Sequence, residues 1–298
     1  MTATVVVTSR NRRDELRQCL QSVAAQSARP EVLVVDDASE DGTADMIARE
    51  FAGVRVVRHD RPRGYIVGRN EAANLASGDV IVSLDDDAVF SSPDIVRDVL
   101  LAFDDPRIAA VAIPYIDVNR DSIVRQSAPD REHVYVTAAF IGTAHAVRRD
   151  VFLNQGGYRE ALFHQGEESD LCIRLLDAGY MVRLGVSEAI HHFESPRRDF
   201  RRMDHFGPRN AILFEWQNAP AAELVTQLPK TIAGLVAHTW RPARLGVRLA
   251  GIVDGLRSCA RIERRPVSTA TYRLWRRMRR SATPFRLSDV AAGVPARP

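Results

Sequence analysis

The 298-residue chain reads as an α/β protein whose open, mostly parallel sheet is covered by helices on both faces. Short apolar runs alternate with segments of helical periodicity through the first 90 residues, the pattern of right-handed β-α-β crossovers. Two of those runs end in consecutive carboxylates, Asp36-Asp37 and Asp85-Asp86-Asp87, at the strand ends where open parallel sheets bind ligands. The composition, 45% apolar and 27% charged, is that of a globular chain without repeats or low-complexity bias.

Val5-Val6-Val7-Thr8 is predicted as the first strand, followed by a turn at Ser9-Arg10-Asn11 and a helix with Leu16, Leu20 and Val23 on one face. Val32 to Val35 forms the second strand. It runs into Asp36-Asp37, and residues 38–43 supply a turn and a helix start. Val54 to Val57 is the third strand, Gly64 to Ala76 a loop feeding a helix, and Val80 to Leu84 the fourth strand, ending in the triple Asp. Three acids on one tip repel each other unless basic side chains, water or a hard divalent cation balance them. Extended alternation would turn Asp85 and Asp87 to one side and Asp86 away from them.

Downstream, 93–103 reads as a helix, Ile108 to Pro114 as a strand, and residues 117–132 as a polar loop. Val134 to Thr137 and Phe140-Ile141-Gly142 read as strand-like material, and Val151 to Leu153 as the end of a short helix broken at Gly156-Gly157. Gly166-Glu167-Glu168-Ser169-Asp170 opens a further helix. Acids in a first turn suit the helix dipole, but two Glu and an Asp exceed what a cap requires. Met181 to Leu184 and Ala189 to Phe193 are the last strand candidates, the second carrying His191-His192. Arg197, Arg198, Arg201 and Arg202 then form a basic cluster, either a solvated face or a phosphate grip.

Charge is unevenly distributed. Residues 1–229 carry 26 Arg against 35 acids, and residues 230–298 carry 15 basic residues against 3 acids. Cys19, Cys172 and Cys259 form no disulfide framework or zinc spacing, which points to a reducing cytoplasm, and no apolar run reads as a signal peptide or a membrane span.

In this order and spacing, the sequence resembles the family 2 nucleotide-sugar glycosyltransferases of GT-A fold. The resemblance runs from residue 3 to residue 215, through residues 6–12, 34–43, Gly68-Arg69-Asn70, Leu84 to Asp87, Gly156-Gly157-Tyr158, Gly166 to Leu171 and His191-His192. It implies a nucleoside-diphosphate sugar donor (UDP or dTDP), a glycan or lipid-linked acceptor, and Mg²⁺ or Mn²⁺ held by Asp87, Asp85 and one of the two histidines, His191 being favoured. Asp36 would accept a hydrogen bond from a pyrimidine base, and Thr8 to Arg10 would lie along the nucleoside. The other substrate-binding positions implied are Asp37, Gly64, Arg69, Asn70, Asp85, Asp86, Gly142, Asp170 and Arg209. Glu168 would be the general base of an inverting transfer, with Glu167 as the alternative. Glu168 stands where the family usually has Asp, and Arg159 stands where Asp is usual after Gly-Gly-aromatic.

The predicted division is a catalytic domain over 1–215 and a basic amphipathic helical region over 216–298. In that second region Leu245, Leu249, Ile252, Val253 and Leu256 share a helical face, and 272–280 mixes aromatics with Arg. This suits either an anionic surface at the inner side of a cell membrane or packing on the catalytic domain; a nucleic-acid partner is not expected. Two enzyme classes are disfavoured. Sugar-phosphate nucleotidyltransferases and dinucleotide-binding oxidoreductases need a Gly-rich loop after the first strand, and Thr8 to Arg12 contains no glycine. A degenerate glycosyltransferase kept as a nucleotide-sugar binding or scaffold subunit is the non-enzymatic alternative.

Overall fold

The computed structural model describes residues 1–195, 199–237 and 242–290. Of the basic cluster, Arg197 and Arg198 lie outside the described residues. The N-terminal half alternates as predicted: β1 (Ala3–Ser9), α1 (Arg13–Ala24), β2 (Glu31–Asp36), α2 (Thr43–Glu50), β3 (Arg55–Arg58), α3 (Tyr65–Leu75) and β4 (Val80–Asp85). These four strands pair in parallel in the order β4-β1-β2-β3. Register places Ser9 beside Asp36 and Thr8 beside Asp85, so the carboxylate-bearing tips of β2 and β4 flank the end of β1.

Next come β5 (Ala88–Val89), α4 (Ile95–Leu101), β6 (Ile108–Ala112), β7 (Tyr115–Asp117), β8 (Tyr135–Thr137), β9 (Ala144–Arg148) and α5 (Arg149–Asn154). A 3₁₀ turn at Glu160–Leu162 leads to α6 (Glu167–Asp177), β10 (Met181–Leu184) and β11 (Ile190–His192). The main sheet has the order β12-β8-β10-β6-β9-β4-β1-β2-β3, and β5, β11 and β7 form a small second sheet. Phe140-Ile141-Gly142 is not a strand. It leads into the turn before β9, which lies antiparallel between β4 and β6. This strand, Ala-His-Ala-Val-Arg, carries weak β-propensity and no clear alternation; its place follows from filling the gap between two stronger strands.

Side chains alternate between two cores. Val5, Val7, Val34 and Val82 face one, with Leu16 and Leu20 of α1, while Val6, Leu33, Val35 and Ile81 face the other, with Ile66 and Ala73 of α3. Both layers are complete only with the C-terminal region. Helices α7 (Phe200–Asn218), α8 (Ala221–Ala237), α9 (Pro242–Cys259) and α10 (Thr269–Arg280) precede β12 (Phe285–Arg286), which joins the edge of the main sheet, and α11 (Leu287–Val290). Tyr272, Leu274, Trp275 and Met278 of α10 are buried in the first core, where each contributes about 2 kcal/mol by apolar burial. Of the predicted apolar face of α9, Ile252 turns inward and is buried, whereas Leu245, Leu249, Val253 and Leu256 are exposed.

Helix α7 runs straight through residues 215 and 216, and α9 packs along it. Gly251 and Gly255 permit that approach: a Cβ on Gly251 would overlap the His205 carbonyl, and one on Gly255 would lie 2.9 Å from the Arg209 carbonyl oxygen.

Candidate active site

The three acids at the tip of β4 have three different surroundings. Strand geometry ends at Asp85, and Asp86 and Asp87 form a turn, so extended alternation does not govern them. Asp85 accepts hydrogen bonds from Arg69 Nη2 at 2.7 Å and from Thr143 Oγ1 at 2.6 Å. Asp86 does not stand apart from its neighbours as alternation predicted. It accepts from Ser9 Oγ at 2.7 Å and from Arg12 Nη1 at 3.0 Å, the same guanidinium nitrogen that reaches Asp87 at 2.6 Å. Burial pushes the Asp86 carboxyl up to about 7 against the pull of Arg12. For Asp87, burial also acts upward, but His192 and Arg12 outweigh it and hold the group below the usual carboxylate range.

The histidine beside this cluster is His192, a correction to the lean toward His191. In the small sheet β11 pairs antiparallel with β5, and the register sets His192 opposite Ala88, the residue after Asp87. Its Nε2 lies 3.3 Å from Asp87 Oδ1. His191, one position earlier, faces a separate cavity with Ile116, Val124 and Arg131. Among the described residues, ligand atoms of Asp85, Asp87 and His192 all lie within 4.8 Å of one another. That spacing and donor set fit a divalent cation with oxygen and imidazole preference, whose opposite ligands stand about 4 Å apart. Among the described residues His192 Nδ1 has no hydrogen-bond partner, and it lies 3.8 Å from Asp117, a carboxylate placed to orient a ligating imidazole from behind.

Glu167 and Glu168 occupy the first turn of α6, after Gly166 in the left-handed region. They line the same cavity, about 550 Å³, as Thr8, Arg12, Arg69, Asp85 to Asp87, Gly142 and His192. Glu167 is fully buried and among the described residues neither of its carboxylate oxygens has a hydrogen-bond partner; burial first, then Glu168, pushes it up to about 8. Burial raises Glu168 also. Arg69 ties the two acid clusters together, 2.7 Å from Asp85 and 3.6 Å from Glu167. Gly142 closes the remaining side: its carbonyl accepts from Arg69 at 3.2 Å, and a Cβ there would overlap the Glu168 carboxylate.

Several expected substrate positions have other partners. Asp170 is buried beneath α6, bonded to Arg159 at 2.7 Å, Arg174 at 3.0 Å and Asn218 at 2.9 Å, so it anchors the helix that presents the two Glu. Arg159, anomalous in the sequence, is its counter-ion. Asn70 exchanges hydrogen bonds with the Tyr158 backbone, and Arg209 clamps Asp254 at 2.9 Å and the Ala161 carbonyl. Asp37 braces the following loop, accepting from the backbone N–H groups of Arg63 and Gly64 and contacting His59 at 2.8 Å. None of these lines the cavity, and neither does exposed Arg10. Asp36 is fully buried at the end of β2; its Oδ1 accepts from the Ser39 N–H at 2.9 Å, and its Oδ2 lies 3.6 Å from Arg58 Nε with no hydrogen-bond partner among the described residues. The sequence reading missed Arg12 and Thr143, and it held His192 only as the alternative to His191. Arg12 follows the first strand by three residues, within the quoted 6–12 stretch, and that adjacency was the only available signal.

The chain is similar to several known glycosyltransferases. An O-antigen chain rhamnosyltransferase of Salmonella typhimurium is 26% identical over 223 residues, covering 68% of this chain and 70% of the relative. A pre-mycofactocin glycosyltransferase of Mycobacterium tuberculosis is 27% identical over 287 residues, which cover 88% of this chain but 57% of the relative. Among solved structures, a mannosyltransferase from Pyrobaculum calidifontis in complex with GDP-Man and Mn2+ superposes with a TM-score of 0.60 at 20% identity, covering 92% of this chain and 78% of that one. S. aureus TarS in complex with UDP-GlcNAc gives 0.65 at 14% identity, over 94% of this chain and 87% of that one. These two establish the GT-A fold. Residues 4–162 match the family described as Glycosyl transferase family 2, and with more than half of its length so matched the chain belongs to that family of glycosyltransferases.

Proposed function

We infer that the protein is an inverting, metal-dependent glycosyltransferase that moves a sugar from a UDP- or dTDP-sugar to a hydroxyl of a glycan or lipid-linked acceptor. The observation that carries this reading is the convergence, in one cavity, of the Asp85-Asp87-His192 cluster and Glu168, with Arg69 and Gly142 between them. Asp85, Asp87 and His192 would hold Mg²⁺ or Mn²⁺, which when bound neutralises charge on a diphosphate leaving group. The Oδ2 of Asp36, 3.6 Å from Arg58 Nε and without a hydrogen bond among the described residues, is a buried acceptor at the tip of β2, suited to the N3–H of uracil or thymine.

In transfer, the bond from the anomeric carbon to the diphosphate oxygen breaks, and its electron pair leaves with the nucleoside diphosphate. The acceptor oxygen forms the new bond from the opposite face, and its proton passes to Glu168. A raised carboxyl suits that task, because it takes up a proton more readily than an ordinary glutamate. Arg12 and Arg69 offset part of the negative charge of the acid-lined cavity before donor and cation enter.

Screening a panel of nucleotide-sugars for hydrolysis or transfer tests this. Turnover should require Mg²⁺ or Mn²⁺ and collapse in Asp87→Ala; full turnover in EDTA would overturn the metal assignment. No helix among the described residues is long and apolar enough to cross a membrane. The exposed Leu245, Leu249, Val253 and Leu256, beside exposed Arg257 and Arg261, fit peripheral contact with an anionic bilayer. Flotation with vesicles containing acidic lipids would show it, and binding insensitive to Leu249→Asp and Val253→Asp would exclude this face.

A further inference from the structure

A second cavity, about 540 Å³, lies against the other side of the first turn of α6. Gln165 lines both cavities. Glu167 and Glu168 face the first, while Gly166 and Ser169 face the second, so the turn that carries the proposed base is the wall between them. Ala211 and Phe214 of α7 and Trp275 of α10 supply apolar lining, and Arg276, Arg279 and Arg280 line it from one side of α10.

This face is distinct from the one by which α10 packs into the core. Arg276, Arg279 and Arg280 are spaced i, i+3, i+4 and fall together on the helix, opposite Leu274 in the core and one turn beyond Tyr272, whose hydroxyl accepts from Arg276 Nη1 at 3.2 Å. The one carboxylate in the cavity lining is Glu215, and it is already engaged by the Tyr272 hydroxyl, by Thr231 Oγ1 at 3.2 Å and by Arg276 Nη1 at 3.4 Å. Arg279 lies over the Trp275 ring, 5.8 Å from its centre, and among the described residues neither Arg279 nor Arg280 has a carboxylate partner. Cations in a last helical turn suit the helix dipole, but that does not require three of them to line one cavity.

We propose that this cleft is the acceptor site and takes an acceptor bearing a phosphate or diphosphate, held by Arg279 and Arg280, with its hydroxyl reaching Glu168 past Gln165. The inference rests on the donor assignment above and extends it. The donor diphosphate has its own cation set in the first cavity, so the second set of cations answers a second anion. Guanidinium groups present forked donors that match phosphate oxygens, and the Phe214 and Trp275 walls accommodate an apolar chain or sugar face beside them. The phosphate belongs either to an isoprenyl-linked headgroup or to a soluble sugar phosphate.

Calorimetric titration of the full chain with farnesyl diphosphate, and separately with inorganic pyrophosphate, tests the cleft. Both titrations are run in EDTA so that the Asp85-Asp87-His192 cluster has no cation to recruit a diphosphate. Arg279→Ala/Arg280→Ala should weaken binding by about tenfold or more, Arg279→Lys/Arg280→Lys should restore most of it, and Asp87→Ala should leave it unchanged. Equal thermal melting of the alanine and lysine pairs separates lost contacts from lost folding. Farnesyl diphosphate binding tighter than pyrophosphate supports a lipid-anchored acceptor; equal affinities support a soluble one. Affinity that is the same in the alanine pair as in the unmodified protein, or absent for both probes at millimolar concentration, overturns the proposal. Titration of UDP with Mn²⁺ reads the donor site independently: isoprenyl diphosphate bound through Arg279 and Arg280 without any UDP binding would support the cleft and count against the donor assignment alone.

Discussion

Asp87 and Glu167 face one cavity, and their surroundings shift them in opposite directions. At the tip of β4, Asp87 shares Arg12 with Asp86 and meets His192, and it is held ionised despite its burial. At the start of α6, Glu167 lies 3.6 Å from the Arg69 guanidinium without a carboxylate hydrogen bond among the described residues, and burial drives it up to about 8, while Glu168 is raised beside it. The same functional group is held as a fixed negative charge on one side and favours its protonated form on the other. Neighbouring cations decide which, because a buried carboxylate without them favours its neutral form.

The sharpest way to break this contrast is Asp87→Ala, which should lower transfer by roughly 10³-fold and abolish the dependence of UDP affinity on Mn²⁺. Transfer within tenfold of the unmodified protein would remove Asp87 from the cation-binding role. Next in size is Glu168→Gln, expected to lose about 10²- to 10⁴-fold in transfer while UDP affinity stays within about twofold. If Glu167→Gln shows that loss and Glu168→Gln does not, the base is Glu167. Asp86→Asn should cost only about tenfold and always less than Asp87→Asn, since Asp86 braces Ser9 and Arg12 outside the three-ligand cluster. Equal losses in a metal titration would place Asp86 among the ligands.

The smallest effect concerns stability. The folded Glu167 carboxyl lies above its ordinary value of 4.5, at about 8, so its burial as an anion opposes folding as pH rises from about 4.5, and fully so above 8. The neutral Glu167→Gln should therefore melt a few degrees higher at pH 9 and close to the unmodified protein at pH 4.5. A difference that does not change with pH would mean that Glu167 titrates in the fold as it does in the unfolded chain.

The four N-terminal strands and both acid clusters were legible because each depends on local pattern: apolar runs of strand length, then consecutive acids at the end. Strand β9 was not, since Ala144 to Arg148 has no period of its own and is placed by its neighbours. The choice between His191 and His192 is a question of parity. Successive strand residues point to opposite sides, and only the pairing of β11 with β5 sets which one meets Asp87. Asp170, Asn70 and Arg209 had the chemistry of substrate ligands, but packing committed each to holding two elements together.

Sequence alone determined the family resemblance, the alternation of strands and helices that sets both acidic runs at strand ends, and the excess of positive charge after residue 230. Tertiary structure decided which histidine joins the acids, which acids stay ionised, and that α10 turns aromatics into the core and arginines toward a cavity beside Glu168. The physical reason is the same for all three. Strand parity, desolvation and the facing of a helix are set by the partner an element packs against, and that partner lies far away along the chain.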